Sequence, residues 1–132
     1  MRIYFAALYD AKDRIKSLRD EIEKFGHSSV SMWLDAPAVP HADKNPGFLS
    51  YAAIGDLADI RDAEILILDT FNDNLRGGRE VEFGYALSRG IPTIVVGPIR
   101  NVFHNLAWKH FDNWETAKGF LASLTFERKQ HA

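Results

Sequence analysis

The chain has 132 residues, 46% hydrophobic and 26% charged, with a formal net charge of −2, which suits one compact domain spanning 1–132. It has no cysteine, which excludes disulfides, thiolate metal sites and cysteine nucleophiles, and its mixed charges form no basic stripe for a nucleic-acid polymer. No apolar run is long enough to span a bilayer and no leader-like segment precedes the first strand, so a soluble cytoplasmic protein without a membrane partner is expected.

Arg2 to Leu8 is a short apolar run rich in β-formers and reads as a first strand, buried on both faces. From Ala11 to Phe25, the residues Ile15, Leu18, Ile22 and Phe25 recur at helical spacing, and Gly26 supplies the stop. His27 to Leu34 reads as a weaker second strand, with Val30 and Met32 alternating against serines. Strand, helix, strand in this order predicts parallel pairing with a right-handed crossover. Asp35 to Gly47 holds three prolines and reads as a long loop able to wall or cover a site. Phe48 to Ala63 predicts a helix with Leu49, Ala53, Leu57 and Ile60 on its inner face, and Glu64 to Leu68 the central strand. Pro92 to Gly97 is a further buried strand, Arg100 to Trp108 a loop with a helical turn, and Lys109 to Phe111 a short edge strand. Trp114 to Leu124 closes the fold as a helix capped near Asp112 or Asn113, and the polar tail beyond Phe126 is expected to fray. The alternation predicts an α/β fold of flavodoxin/Rossmann-like, three-layer type. Its five-stranded parallel sheet takes the order 2-1-3-4-5, with helices on both faces.

Between the central and fourth strands lies the most suggestive stretch. A polar loop, Phe71 to Arg76, leads into Gly77 and Gly78, which permit a tight turn, and a helix then runs to Gly90. Glu80 and Glu82 fall in its first turn, at the rim where open α/β sheets bind ligands, although the helix dipole alone favours carboxylates there. Mid-helix Gly84 costs about 1 kcal/mol relative to alanine, and close approach of a strand or ligand is the natural reason for it. The loops after strands one, three and four bring Ala7 to Tyr9, Asp69 to Glu82 and Gly97 to His104 to one rim. No G-x-G-x-x-G follows the first strand, and neither a Walker A motif nor a G-x-S-x-G elbow occurs. The five histidines lack metal-ligand spacing, so neither metal nor cofactor is expected, and carboxylate chemistry remains.

Four pieces in order carry a family likeness: Tyr4-Phe5-Ala6-Ala7, Asp56-Leu57, Ala63-Glu64-Ile65-Leu66, and Gly78-x-x-x-Glu82-Phe83-Gly84-Tyr85-Ala86. Together they resemble the nucleoside 2-deoxyribosyltransferase family, which includes N-hydrolases of deoxynucleoside and cytidine monophosphates. The resemblance runs from Arg2 to about Leu106. It implies that Glu82 is a nucleophile attacking the anomeric carbon of a (deoxy)ribosyl group, with net retention over two displacements. It also implies that Asp56 handles or protonates the leaving base, and that the Tyr4 hydroxyl reaches the nucleophile or the sugar.

Glu80 does not align and reads as surface or as support. Ala7 lies on the loop after the first strand. Asp69 can meet a sugar hydroxyl or cap a helix, and Trp33 and Phe48 can stack on a base or simply pack. Arg76, Gly77 and Gly78 form the loop before the nucleophile. In the family the loop holding Asn101 and His104 often completes a neighbouring subunit's site, which implies a homodimer or larger homo-oligomer. The chain also departs from the pattern. Transferases of the family carry an aspartate where Arg76 stands, and the monophosphate hydrolases carry serines where Leu8 and Arg76 stand. Arg76, with Arg79 and Arg100, is a candidate for binding a phosphate instead. The expected partner is a small nucleoside or nucleotide with its free base. A non-catalytic nucleotide-binding or sensor domain and a flavodoxin-like interaction module are the alternatives.

Overall fold

The computed structural model describes residues 1–73 and 76–131; Asn74 and Leu75 of the expected polar loop lie outside them, and so does Ala132. One sheet of five parallel strands is formed by β1 (Arg2–Ala6), β2 (Ser28–Ser29), β3 (Ile65–Asp69), β4 (Thr93–Val96) and β5 (Lys109–Phe111). Their order is β2-β1-β3-β4-β5, with Ile3 opposite Ile65 and Leu66 opposite Thr93 in the central ladders. Four helices connect or close the sheet: α1 (Lys12–Glu23), α2 (Pro46–Arg61), α3 (Gly78–Ser88) and α4 (Trp114–His131).

Alternation along the strands builds two cores. Ile3, Phe5, Ile65, Ile67, Ile94 and Val96 face α1 and α4, where they meet Ile15, Ile22, Trp114 and Leu121. Tyr4, Ala6, Leu66, Leu68 and Val95 face α2 and α3, where they meet Ile60, Ala63, Phe83 and Ala86. Strands buried on both faces need apolar residues at every position, which is why these runs are continuous rather than alternating.

The second strand is far shorter than the expected His27 to Leu34. After Ser29 the Ser31 hydroxyl accepts the Phe5 N–H at 2.7 Å, in place of a ladder carbonyl. Met32–Leu34 then winds into a 3₁₀ turn, whose Met32 N–H goes to Asp59 at 3.1 Å. A side-chain acceptor thus competes with the backbone and ends the pairing.

α2 begins earlier than Phe48. Asn45 caps it by accepting the Phe48 N–H at 3.0 Å, and Pro46 takes the first helical position, where a missing N–H costs nothing. Only its C-terminal half lies over the sheet. Leu57 and Ile60 pack inward as expected, but Leu49 and Ala53 are exposed, because apolar residues surround this helix and spacing alone selects no face.

α4 (Trp114–His131) runs on past the expected end at Leu124. Its cap is Asn113, whose side-chain oxygen accepts the Thr116 N–H at 2.9 Å. Among the described residues no helix is long and apolar enough to cross a membrane.

Candidate active site

Parallel strands send the connections after β1, β3 and β4 to the same edge of the sheet, and α2 and α3 lie side by side over one of its faces. α3 starts where Gly77 adopts φ 78°, a left-handed conformation that suits glycine, and Gly78 is its first residue. Glu80 therefore lies in the first turn and Glu82 one residue beyond it, rather than both in that turn. Arg79, Phe83 and Ala86 form the buried face of α3. Glu82 stands between Arg79 and Ala86 at helical spacing, so its carboxylate is carried inward toward the sheet.

Three side chains from three elements meet there. Tyr4, buried in β1, donates its hydroxyl hydrogen to a carboxylate oxygen of Glu82. Asp56 of α2 is half-buried and interacts electrostatically with both. Burial pushes Glu82 up from 4.5 to about 8; the Tyr4 hydrogen bond pulls the other way, and the nearby Asp56 charge adds to the rise. Burial and then Asp59 push Asp56 up from 3.8 to about 6. Burial and the two carboxylates raise Tyr4, which keeps its hydroxyl proton available for donation. The group can orient a carboxylate through a hydroxyl and share a proton between two carboxylates, of which Glu82 holds it more tightly.

The other expected residues lie around this group in varied roles. Ala7, one residue past β1, is half-buried on the α1–α4 side. Trp33 follows β2, donates its indole N–H to the Phe5 carbonyl at 2.9 Å and lies 6.5 Å from the Tyr9 ring, so its ring contributes to packing between the two cores. Phe48 is half-buried at the start of α2. Arg76 is exposed in the loop before Gly77 and Gly78.

Asp69 turns to the opposite face of the sheet from Glu82. It is 1% exposed, and its oxygens accept from both Arg14 nitrogens at 2.8 and 3.0 Å, from Trp114 at 2.6 Å and from the Phe71 N–H at 3.2 Å. Its acceptor capacity is spent on holding α1, α4 and the β3–α3 loop together.

Asn101 and His104 are bound within their own chain. Asn101 caps the 3₁₀ turn Val102–Leu106 by accepting from Phe103 and His104. His104 Nδ1 accepts the Arg100 N–H at 3.1 Å, so the hydrogen sits on Nε2, which donates to Glu80 at 2.9 Å. The Asn101 amide also donates to Glu80, at 3.2 Å. Glu80, read from sequence as surface or support, thus fastens the β4–β5 connection to the first turn of α3.

Arg79 is a buried clamp rather than a phosphate ligand. Its guanidinium donates to the carbonyls of Asp69 at 3.0 Å, Phe71 at 2.9 Å and Asn72 at 2.7 Å. Sequence reading missed both this clamp and the Arg14–Trp114 partnership with Asp69, for nothing in the local pattern marks either. Gly84 is exposed, and a Cβ there would touch nothing within 4 Å, so the close approach expected for it does not occur. The tight glycine is Gly97, at φ 119°, where a Cβ would lie 2.5 Å from Thr70 Oγ1. Among the described residues no group of three or more His, Asp or Glu side chains is arranged to hold a metal ion.

No protein-family model matches this chain, and no curated protein matches it. Solved structures do. The 2-deoxyribosyltransferase of the psychrotolerant bacterium Bacillus psychrosaccharolyticus is 20% identical with a TM-score of 0.73, over 89% of this chain and 90% of that one. The Clostridium botulinum CMP N-glycosidase BcmB is 18% identical with a TM-score of 0.63, over 96% of this chain and 99% of that one. The likeness establishes that the chain has the fold of these proteins along nearly its whole length.

Proposed function

We propose that this single domain cleaves the N-glycosidic bond of a (deoxy)nucleoside or its 5′-monophosphate, transferring the sugar to another base or to water. The observation that carries the reading is the Tyr4–Glu82 hydrogen bond with Asp56 beside it, in a fold shared with a deoxyribosyltransferase and a CMP N-glycosidase.

In the first displacement a Glu82 carboxylate oxygen bonds to the anomeric carbon, the carbon–nitrogen bond breaks, and its electron pair leaves on the base. Asp56 gives that base a proton. Tyr4 fixes the orientation of the Glu82 carboxylate. In the second, water or a second base attacks the same carbon, the Glu82–sugar bond breaks, and Asp56 takes the proton back. No cofactor or metal enters these steps. A role in nucleoside salvage in the cytoplasm, as a homo-oligomer, goes with this reading.

The test is chromatography of free bases after incubation with a panel of nucleosides and 5′-monophosphates, with and without a second free base. Base release is expected, and an exchanged nucleoside marks transfer as against hydrolysis. Glu82→Gln is expected to lower the rate at least about a thousandfold, as removal of a covalent nucleophile does. Full activity in that variant would sink the mechanism. Nucleotide affinity with no base release at any pH would favour the non-catalytic binding domain instead.

A further inference from the structure

A carboxylate carried on a helix keeps its aim only if the helix can neither fray nor roll. α3 starts without the usual safeguard: its N-cap is Gly77, which offers no side-chain acceptor to the free N–H groups of the first turn. Glu82 comes one residue after that turn. The hold on it has to come from outside the helix.

Glu80 and Glu82 lie about 160° apart around α3, on the two flanks of the stripe that Arg79, Phe83 and Ala86 bury. One flank is tied to β1, where Tyr4 donates to Glu82. The other is tied to the connection after β4, where His104 Nε2 donates to Glu80 at 2.9 Å. β1 and β4 stand on either side of β3, so the two ties hold α3 from opposite directions. His104 meets the helix twice, because its ring also stands edge-on to Phe83, at 88° and 5.4 Å between centroids. It is 1% exposed and is itself anchored. Its Nδ1 accepts the Arg100 N–H at 3.1 Å, the Arg100 Nε donates to the Thr70 carbonyl at 2.6 Å, and the Thr70 hydroxyl donates to the Pro98 carbonyl at 2.7 Å. The grip on α3 thus runs back to the ends of β3 and β4.

We infer that His104, acting through Glu80 and Phe83, is a positioning residue that fixes the roll of α3 and keeps the Glu82 carboxylate on Tyr4. Its consequence for turnover rests on the proposed reaction; its effect on the carboxylate does not. With the His104 tie cut, α3 can turn about its axis and take the carboxylate off its line to the anomeric carbon. A displacement of ~1 Å at a reacting group costs about a hundredfold in rate. His104 is buried against α3 and offers the substrate no contact, so the loss falls on kcat rather than KM.

Two substitutions of His104 separate its tie to α3 from its tie to Arg100. Asparagine places an acceptor near Nδ1 and keeps Arg100 but loses Glu80; glutamine places an amide N–H near Nε2 and keeps Glu80. Rates are measured with whichever compound of the nucleoside and 5′-monophosphate panel the native protein cleaves fastest. His104→Asn is expected to lower kcat at least about tenfold with KM within about twofold of native, and His104→Gln to recover most of that loss. In a Tyr4→Phe background, where the orienting hydroxyl is already gone, His104→Asn is expected to cost much less, since both changes act on one carboxylate. Native kcat in His104→Asn, equal losses in the Asn and Gln variants, a loss confined to KM, or the same factor lost in both backgrounds overturns the inference and leaves base release through Glu82 intact. Should His104→Asn not fold, Glu80→Ala cuts the same hydrogen bond from its half-exposed end and carries the same readings, with Glu80→Gln as the rescue. If the native protein releases no base, the reaction falls and the tie is read by NMR from the Glu82 carboxyl carbon. Its titration midpoint, about 8 in the native protein, is expected to fall toward 4.5 in His104→Asn as the carboxylate reaches water. An unmoved midpoint overturns the inference.

Discussion

As the proposed nucleophile Glu82 has two requirements that pull apart: it must ionise, and its burial beside Asp56 resists ionisation in spite of the Tyr4 hydrogen bond. Because the two carboxylates interact, protons leave the pair in two steps, near 6 and near 8. The proposed reaction needs one proton on the pair, with Glu82 ionised to attack and Asp56 protonated to release the base, the less populated of the two singly protonated arrangements. Turnover is therefore expected to rise through about 6 and fall through about 8, read as a pH profile of kcat/KM. A rate climbing steadily past 9 would remove Asp56 as the acid. The same burial acts on stability. Between 4.5 and about 8 the folded protein keeps a proton on Glu82 that the unfolded chain gives up, so stability from this group falls as pH rises through that window. Thermal unfolding of Glu82→Gln is expected to lose that part of the slope and to show a higher Tm than the native protein at pH 8.

At the scale of elements, α3 is fastened at its start from two sides. Arg79 gathers the β3–α3 loop, and Glu80 gathers the β4–β5 connection through His104 and Asn101. Arg79→Met leaves three carbonyls without their donor and is expected to cost about 2 kcal/mol, measured by denaturant unfolding. Arg79→Lys is expected to recover little of it, since one ammonium does not reproduce the planar fork. An unchanged midpoint in Arg79→Met would show that the clamp contributes nothing to stability.

These fastenings also mark how far the sequence could be read. Strands β1, β3 and β4 were legible because burial on both faces demands an unbroken apolar run. β2 was not, because its end is set by the Ser31 hydroxyl, and the covered face of α2 was not, because that helix is apolar all round. Tyr4, Asp56 and Glu82 were legible as a group through their resemblance to a family pattern, and the fold brings them together. The engagement of Asp69 was not legible, since Arg14 and Trp114 reach it from 55 and 45 residues away in the chain.

At the scale of the whole molecule, the outward side of the α2–α3 layer is unusually apolar. Tyr51 is 78% exposed and Ile54 67% on α2, and Val81 is 66% exposed on α3. A second copy of the chain laid on this face would cover them, consistent with the proposed homo-oligomer. Ile54→Asp is expected to shift the protein toward monomer in light scattering. An unaltered mass would move the contact elsewhere.

The edges of the sheet bear on the same question from the other direction. β2 offers two serines, and β5 offers three residues that include Lys109 and His110. Exposed strand edges are templates on which chains polymerise, and edges this short and polar give an incoming strand little to zip against. The long, apolar strands β1 and β3 lie inside that border. Should the protein partly open on heating, the order in which the border is lost would decide between recovery and aggregation: detachment of β2 would bare the apolar edge of β1, whereas detachment of α2 would leave the ladder closed.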